Sequence, residues 1–156
     1  MKKKLTIALV AHDRRKFDMV EWALHNAKFL SHHYLVCTGT TGHLIDEAFE
    51  KENIFAEISC MHSGPLGGDA EIAAMVVRKE IDLAIFLIDD LNAQPHEADI
   101  QMLLRQCRVH NVPIACNRYS ADLMITSSLW DNDLYQPSEP KYIYFDRDKD
   151  FPKNEE

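Results

Sequence analysis

Four short stretches of this 156-residue chain concentrate side chains that do chemistry. They are His12-Asp13 with Lys16, Thr38-Gly-Thr-Thr-Gly42, Ser63-Gly-Pro-Leu-Gly-Gly-Asp69, and the run from Asp89 through His96 to Asp99. The Thr-Gly stretch offers three hydroxyls and backbone bare enough for a ligand to approach closely. Placed at a helix start, its N–H groups and the helix dipole favour an anion. Threonine and glycine are equally at home in turns and caps, so that reading stands beside the ligand one. No Gly-Lys-Ser/Thr follows, and the glycines do not have the dinucleotide-binding spacing, so neither a nucleotide nor a dinucleotide cofactor is indicated.

The second stretch ends in an acid after three glycines. Asp69 is either the N-cap of the following helix or a carboxylate held over a ligand by backbone that cannot obstruct it. These alternatives carry a tension. A helix N-terminus stabilises a carboxylate and weakens it as a base, so a catalytic Asp69 requires desolvation to offset the dipole. In the last stretch, His96 and Asp99 are three residues apart at the start of a helix and share a face. A histidine there tends to stay neutral, able to donate a hydrogen bond to a substrate oxygen and to relay a proton. A surface helix-start histidine is the alternative. His12, Asp13, His96 and Asp99 lack a compact ligand spacing, and no metal site is expected of them.

Stepping outward to the elements, aliphatic runs at 5–10, 33–37, 54–60, 82–88 and 112–116 alternate with helical patterns at 16–30, 43–51, 69–79, 97–110 and 120–127. Near-continuous aliphatic strands, each followed by a helix, predict one α/β domain over residues 1–145. Its sheet is doubly wound, mainly five-stranded and parallel, with helices on both faces. The run at 82–88 is the most hydrophobic and is expected at the centre. Residues 142–145 are expected to add an edge strand, and 146–156 to form a charged tail. In such a sheet, ligands bind beyond the carboxyl ends of the strands, where the four stretches fall.

Composition narrows the function classes. The chain is 46% hydrophobic with a net charge of −8. Residues 1–16 carry six bases and one acid, whereas 17–130 carry seven bases and sixteen acids. A broad basic face is therefore missing from the pattern, and no nucleic-acid partner is expected; Arg14, Arg15 and Lys16 suffice only for a small anion. No apolar run approaches the ~20 residues of a membrane span. The basic start and short apolar run, followed by His12-Asp13 where a leader would have small residues, read as a first strand. Cys37, Cys60, Cys107 and Cys116 show no paired spacing and read as reduced thiols; with the start read as a strand, a cytoplasmic protein is expected.

The motifs, in order, resemble the methylglyoxal synthase family. The resemblance rests on Ile7-Ala-Leu-Val-Ala-His-Asp13 with Lys16, Thr38-Gly-Thr-Thr-Gly42 and Ser63-Gly-Pro-Leu-Gly-Gly-Asp69. It continues through Asp89, Leu91-Asn-Ala, Pro95-His96 and Asp99, then Val112-Pro-Ile-Ala-Cys-Asn117 with Ala121-Asp122. It spans about residues 5–128. By this resemblance the chain is a carbon–oxygen lyase that converts dihydroxyacetone phosphate to methylglyoxal and inorganic phosphate, on a bypass of glycolysis, as a homohexamer without cofactor or metal. Asp69 matches the catalytic base, and His96 the histidine that polarises substrate oxygens and moves a proton. Asp99 and Asp13 match supporting carboxylates. Lys16, Thr38, Gly39, Thr40, Thr41, Ser63 and Gly64 match the phosphate-binding set, and His12 lines the substrate site. Asp90 departs from the family's frequent proline, and the chain beyond Leu129 does not follow the pattern. The family's C-terminal arginine, which reaches a neighbouring subunit's phosphate site, has Arg147 as its counterpart candidate.

A rival reading makes the chain a regulatory module of the same fold that senses a phosphorylated metabolite. Such a sensor has no use for a paired acid and histidine, so Asp69 and His96 separate the two. A metal-dependent hydrolase is a third reading, which metal analysis would test.

Overall fold

In the computed structural model, which describes residues 4–132 together with 134, 135, 137, 138 and 140, five strands make one sheet. They are β1 (Thr6–Ala11), β2 (Tyr34–Cys37), β3 (Glu57–Cys60), β4 (Leu83–Leu87) and β5 (Ile114–Ala115). Every pairing is parallel, and the order across the sheet is β3-β2-β1-β4-β5. The expected doubly wound sheet is what the chain forms. Its middle strand is β1 rather than the aliphatic β4, which lies inside the sheet between β1 and β5. Hydrophobicity reports burial on both faces, and both strands satisfy it: β1 and β4 are almost entirely buried.

Alternation along the strands divides the core in two. Ile7, Leu9, Ala11, Leu35, Cys37, Leu83, Ile85 and Leu87 face one layer, which contains Met19, Trp22, Ile45 and Phe49. Ala8, Val10, Val36, Ala84 and Phe86 face the other, with Ile72, Val76, Ile100 and Leu103. Period-two side chains on strands covered by helices on both sides give this arrangement. The helices are α1 (Lys16–His25), α2 (Ala27–Leu30), α3 (Gly39–Lys51), α4 (Gly68–Val77), α5 (Glu97–Val109) and α6 (Arg118–Ile125).

Two local departures from the expected elements stand out. The helical pattern at 16–30 is broken at Asn26, whose side-chain amide donates to Trp22 O and Asp122 Oδ1, separating α1 from α2. Asp122 also accepts from the buried Trp22 indole at 2.8 Å, so this motif residue ties α6 to α1. Helix α3 starts at Gly39, not at residue 43: the Thr-Gly stretch is its first turn, not a loop before it. The expected edge strand at 142–145, the tail at 146–156 and Arg147 lie outside the described residues.

The chain runs β1 to β2 to β3 in one direction, then returns to place β4 on the other side of β1. The strand order therefore reverses between β1 and β4, and a crevice opens beyond their carboxyl ends. His12 N–H donates to Leu87 O across that gap.

Candidate active site

A small cavity of about 90 Å³ lies there, lined by Val10, Ala11, His12, Asp13, Lys16, Thr38, Gly64, Pro65, Asp69, Gln94, Pro95 and His96. Besides Asp13 and Lys16, three nearly buried ionisable side chains meet in it. Asp69 is 1% exposed and His12 4%, while the His96 side chain is 9% exposed.

Asp69 does not cap its helix. Gly67 holds the N-cap position of α4 with φ +108°, a left-handed conformation suited to glycine, and Asp69 sits within the first turn. Its Oδ2 lies 3.3 Å from His96 Nε2 and has no hydrogen-bond partner, so a lone pair remains for a substrate proton. Burial raises the Asp69 pKa above the ordinary carboxylate range, and nearby Asp99 adds to the rise; His96 and Lys16 pull the other way. Desolvation thus overcomes the helix dipole, and the carboxyl is a stronger base than an exposed aspartate.

His12 has a fixed tautomer. Its Nδ1 accepts the Asp89 N–H at 2.9 Å, so the neutral ring carries its proton on Nε2, an atom buried without a partner. Burial lowers the His12 pKa, with His96 and Lys16 contributing, and keeps that ring neutral. Asp89 is held in turn by Leu91 N–H and the Asn92 amide. The His12 and His96 rings meet edge to face, 5.6 Å between centroids. Sequence reasoning gave His12 only a lining role. The signal it lacked is the contact with Asp89, 77 residues away.

The groups suited to an anion collect at one side. Thr38 is buried and lines the cavity, and the α3 start presents the N–H groups of Thr40 and Thr41, which have no intrahelical acceptor. Thr40 Oγ1 is 3.4 Å from Ser63 Oγ, bridging two of the sequence motifs. Lys16 Nζ donates to Ala11 O and Asp13 Oδ1, both at 2.9 Å, and reaches the cavity from α1. Gly64 faces the reacting groups: a Cβ there would lie 3.2 and 3.3 Å from the two Asp69 oxygens and 3.4 Å from His96 Nε2. A Cβ on Gly39 would come within 2.9 Å of Met61 O, so glycine lets α3 approach that strand end.

Three expected site residues make contacts of their own. Asp13 lines the cavity with a side chain that is 98% exposed, and its carboxylate accepts from Lys16, another lining residue. Asp99 does not hold His96, whose Nδ1 is buried without a hydrogen-bond partner; Asp99 acts on Asp69 through its charge. The Thr41 hydroxyl turns inward, accepting from Thr38 Oγ1 and donating to Ala11 O, which leaves its N–H for a ligand. Pro65 and Pro95, quoted in the motifs without a role, line the cavity, as does Gln94, which was not singled out; none is a residue type that signals chemistry. Among the described residues, no group of three or more histidine, cysteine or carboxylate side chains is arranged to hold a metal ion.

A family model described as an MGS-like domain matches residues 18–116. A methylglyoxal synthase of Treponema socranskii is 71% identical over 147 residues, covering 94% of this chain and 93% of that protein. The chain belongs to the methylglyoxal synthase family. A methylglyoxal synthase of Coxiella burnetii is 46% identical, over 87% of this chain and 91% of that protein. Among solved structures, the crystal structure of methylglyoxal synthase from Elizabethkingia anophelis superposes with a TM-score of 0.78 at 41% identity, covering 89% of this chain and 88% of that one. The family-model match begins after His12, Asp13 and Lys16, which line the same cavity as residues within it.

Proposed function

We propose that this member of the methylglyoxal synthase family is a lyase that converts dihydroxyacetone phosphate to methylglyoxal and inorganic phosphate. The observation that carries the reading is the buried Asp69 carboxylate, raised in pKa, with a free oxygen 3.3 Å from His96 and an anion-binding helix start beside it. Names of relatives at 71% and 46% identity support the same reaction.

The chemistry follows from the arrangement. The phosphate occupies the start of α3 with Thr38, Gly39, Thr40, Ser63, Gly64 and Lys16 around it. Asp69 takes a proton from C3, and negative charge develops on the substrate oxygens as the enediolate forms. Nε2–H of His12 and the His96 ring are the donors for those oxygens, and His96, next to Asp69, moves the proton between them. The C1–O bond to phosphate then breaks with the electrons of the enediolate. The released enol becomes methylglyoxal by tautomerisation. Elimination requires that C–O bond to overlap the π system, so its orientation out of the enediolate plane selects this product over isomerisation.

The test is to incubate purified protein with dihydroxyacetone phosphate and assay methylglyoxal and phosphate together, with and without EDTA. Equal release of both, unaffected by chelator, is expected. No release above the uncatalysed rate from folded protein refutes the reading. We further propose a cytoplasmic homohexamer acting on a bypass of glycolysis. The reading is supported by free thiols at Cys37, Cys60, Cys107 and Cys116, and by an apolar groove between α1 and α3 lined by Phe17, Val20, Leu24 and Leu44. Light scattering should give six times the 18.0 kDa chain mass.

A further inference from the structure

Two features of the site must keep a fixed separation: the anion-binding start of α3 and the base on the first turn of α4. They belong to different elements, and the chain at His62 joins them. His62 O accepts the N–H of Gly39, the first residue of α3, at 3.0 Å. On its other side, His62 N–H donates to Glu71 Oε1 at 3.1 Å, and the ring Nδ1–H donates to the same oxygen at 2.5 Å. Glu71 lies in the first turn of α4, two residues beyond Asp69. The approach is close as well: a Cβ on Gly68 would fall 1.9 Å from His62 O, so α4 can sit against this peptide only with glycine there. The following residue, Ser63, accepts from Gly68 N–H and reaches Thr40 with its hydroxyl.

We propose that Glu71 and His62 form a positioning clamp, which holds the anion-binding start of α3 in register with the base on α4; the proposal rests on the reaction assigned above. Neither side chain lines the cavity, and neither touches the reacting groups. Their side chains are 38% and 72% exposed, so the pair contributes little to the stability of the fold. What the contacts fix is orientation. A substrate held by its phosphate on α3 meets Asp69 at a distance set by this peptide, and a misplacement of about 1 Å costs on the order of 100-fold in rate.

The test compares Glu71→Ala with Glu71→Gln in the full chain. The glutamine keeps an oxygen for the His62 N–H; the alanine keeps nothing. Measured are kcat and KM for dihydroxyacetone phosphate, inhibition by inorganic phosphate, thermal midpoint, and hydrogen exchange at the Gly39 amide. Glu71→Ala should lower kcat by about 10- to 100-fold, with phosphate inhibition and thermal midpoint unchanged and faster Gly39 exchange. Glu71→Gln should restore both kcat and exchange to near the parent's. The clamp is overturned by parent kcat in Glu71→Ala, by unaltered Gly39 exchange, by equal losses in both variants, or by a loss of kcat that tracks melting. If the parent itself releases no methylglyoxal, the reaction assignment falls, and the exchange comparison alone decides the clamp.

Discussion

Replacing Asp69 with asparagine tests both the base and the electrostatic setting that the fold gives it. The carboxyl is 1% exposed, and burial, reinforced by Asp99, raises its pKa against the opposing pull of His96 and Lys16. In the native state Asp69 therefore keeps its proton to a higher pH than in the unfolded chain. Its contribution to stability is fully present below the unfolded pKa and is lost as pH rises through the higher folded value. Asparagine does not titrate. Relative to the parent, the variant should gain stability as pH climbs from the unfolded aspartate's pKa towards the raised folded value. Turnover moves the other way: loss of positioned proton transfer costs about 10²–10⁴-fold, or about 3–5 kcal/mol of transition-state stabilisation. The proposed phosphate contacts are on α3 and Lys16, so affinity for inorganic phosphate should change by less than about threefold, below 1 kcal/mol. The assay is initial-rate methylglyoxal release, paired with thermal melts over the same pH series. The parent's kcat/KM should show an acid limb above the ordinary aspartate range. Turnover within tenfold of the parent refutes Asp69 as base. A variant that loses stability relative to the parent as pH rises refutes the desolvation argument.

Two further outcomes are expected. In heavy water, His96→Gln should return dihydroxyacetone phosphate carrying deuterium at C3 while making little methylglyoxal, because glutamine donates a hydrogen bond but relays no proton; the parent run in parallel reports how freely Asp69 exchanges with solvent. Equal falls in exchange and elimination, despite that access, would place His96 in the first step. Lys16→Met and Thr40→Ala should each weaken inorganic phosphate binding by about 1–3 kcal/mol in calorimetry, and unchanged affinity in both would make the α3 start an ordinary helix cap.

The sheet, the helices that cover it and the four stretches that meet at the site could all be read from the residue pattern. Aliphatic runs of strand length and helical spacing between them are local patterns, and the rule that ligands gather beyond the carboxyl ends of parallel strands turned them into a place. Thr38 and Asp69 were legible there because their types stand out against glycine-rich backbone, and His96 because it opens a helix with Asp99; the role of Lys16 came from the resemblance. Tertiary structure decided how each of them acts. Only the crossover that sets β4 beside β1 brings Asp89 N–H to His12 Nδ1 and fixes that ring's proton. Only packing of α4 against the sheet takes the Asp69 carboxyl out of water, reversing the pKa shift that a helix start alone would impose. Asp13 is a further case: its type and position suggested a carboxylate in the site, and it lines the cavity, but only the fold decides that its partner there is Lys16. Sequence records which groups are available and where the chain turns. Desolvation, tautomer and orientation depend on neighbours tens of residues away, and those exist only once the chain has folded.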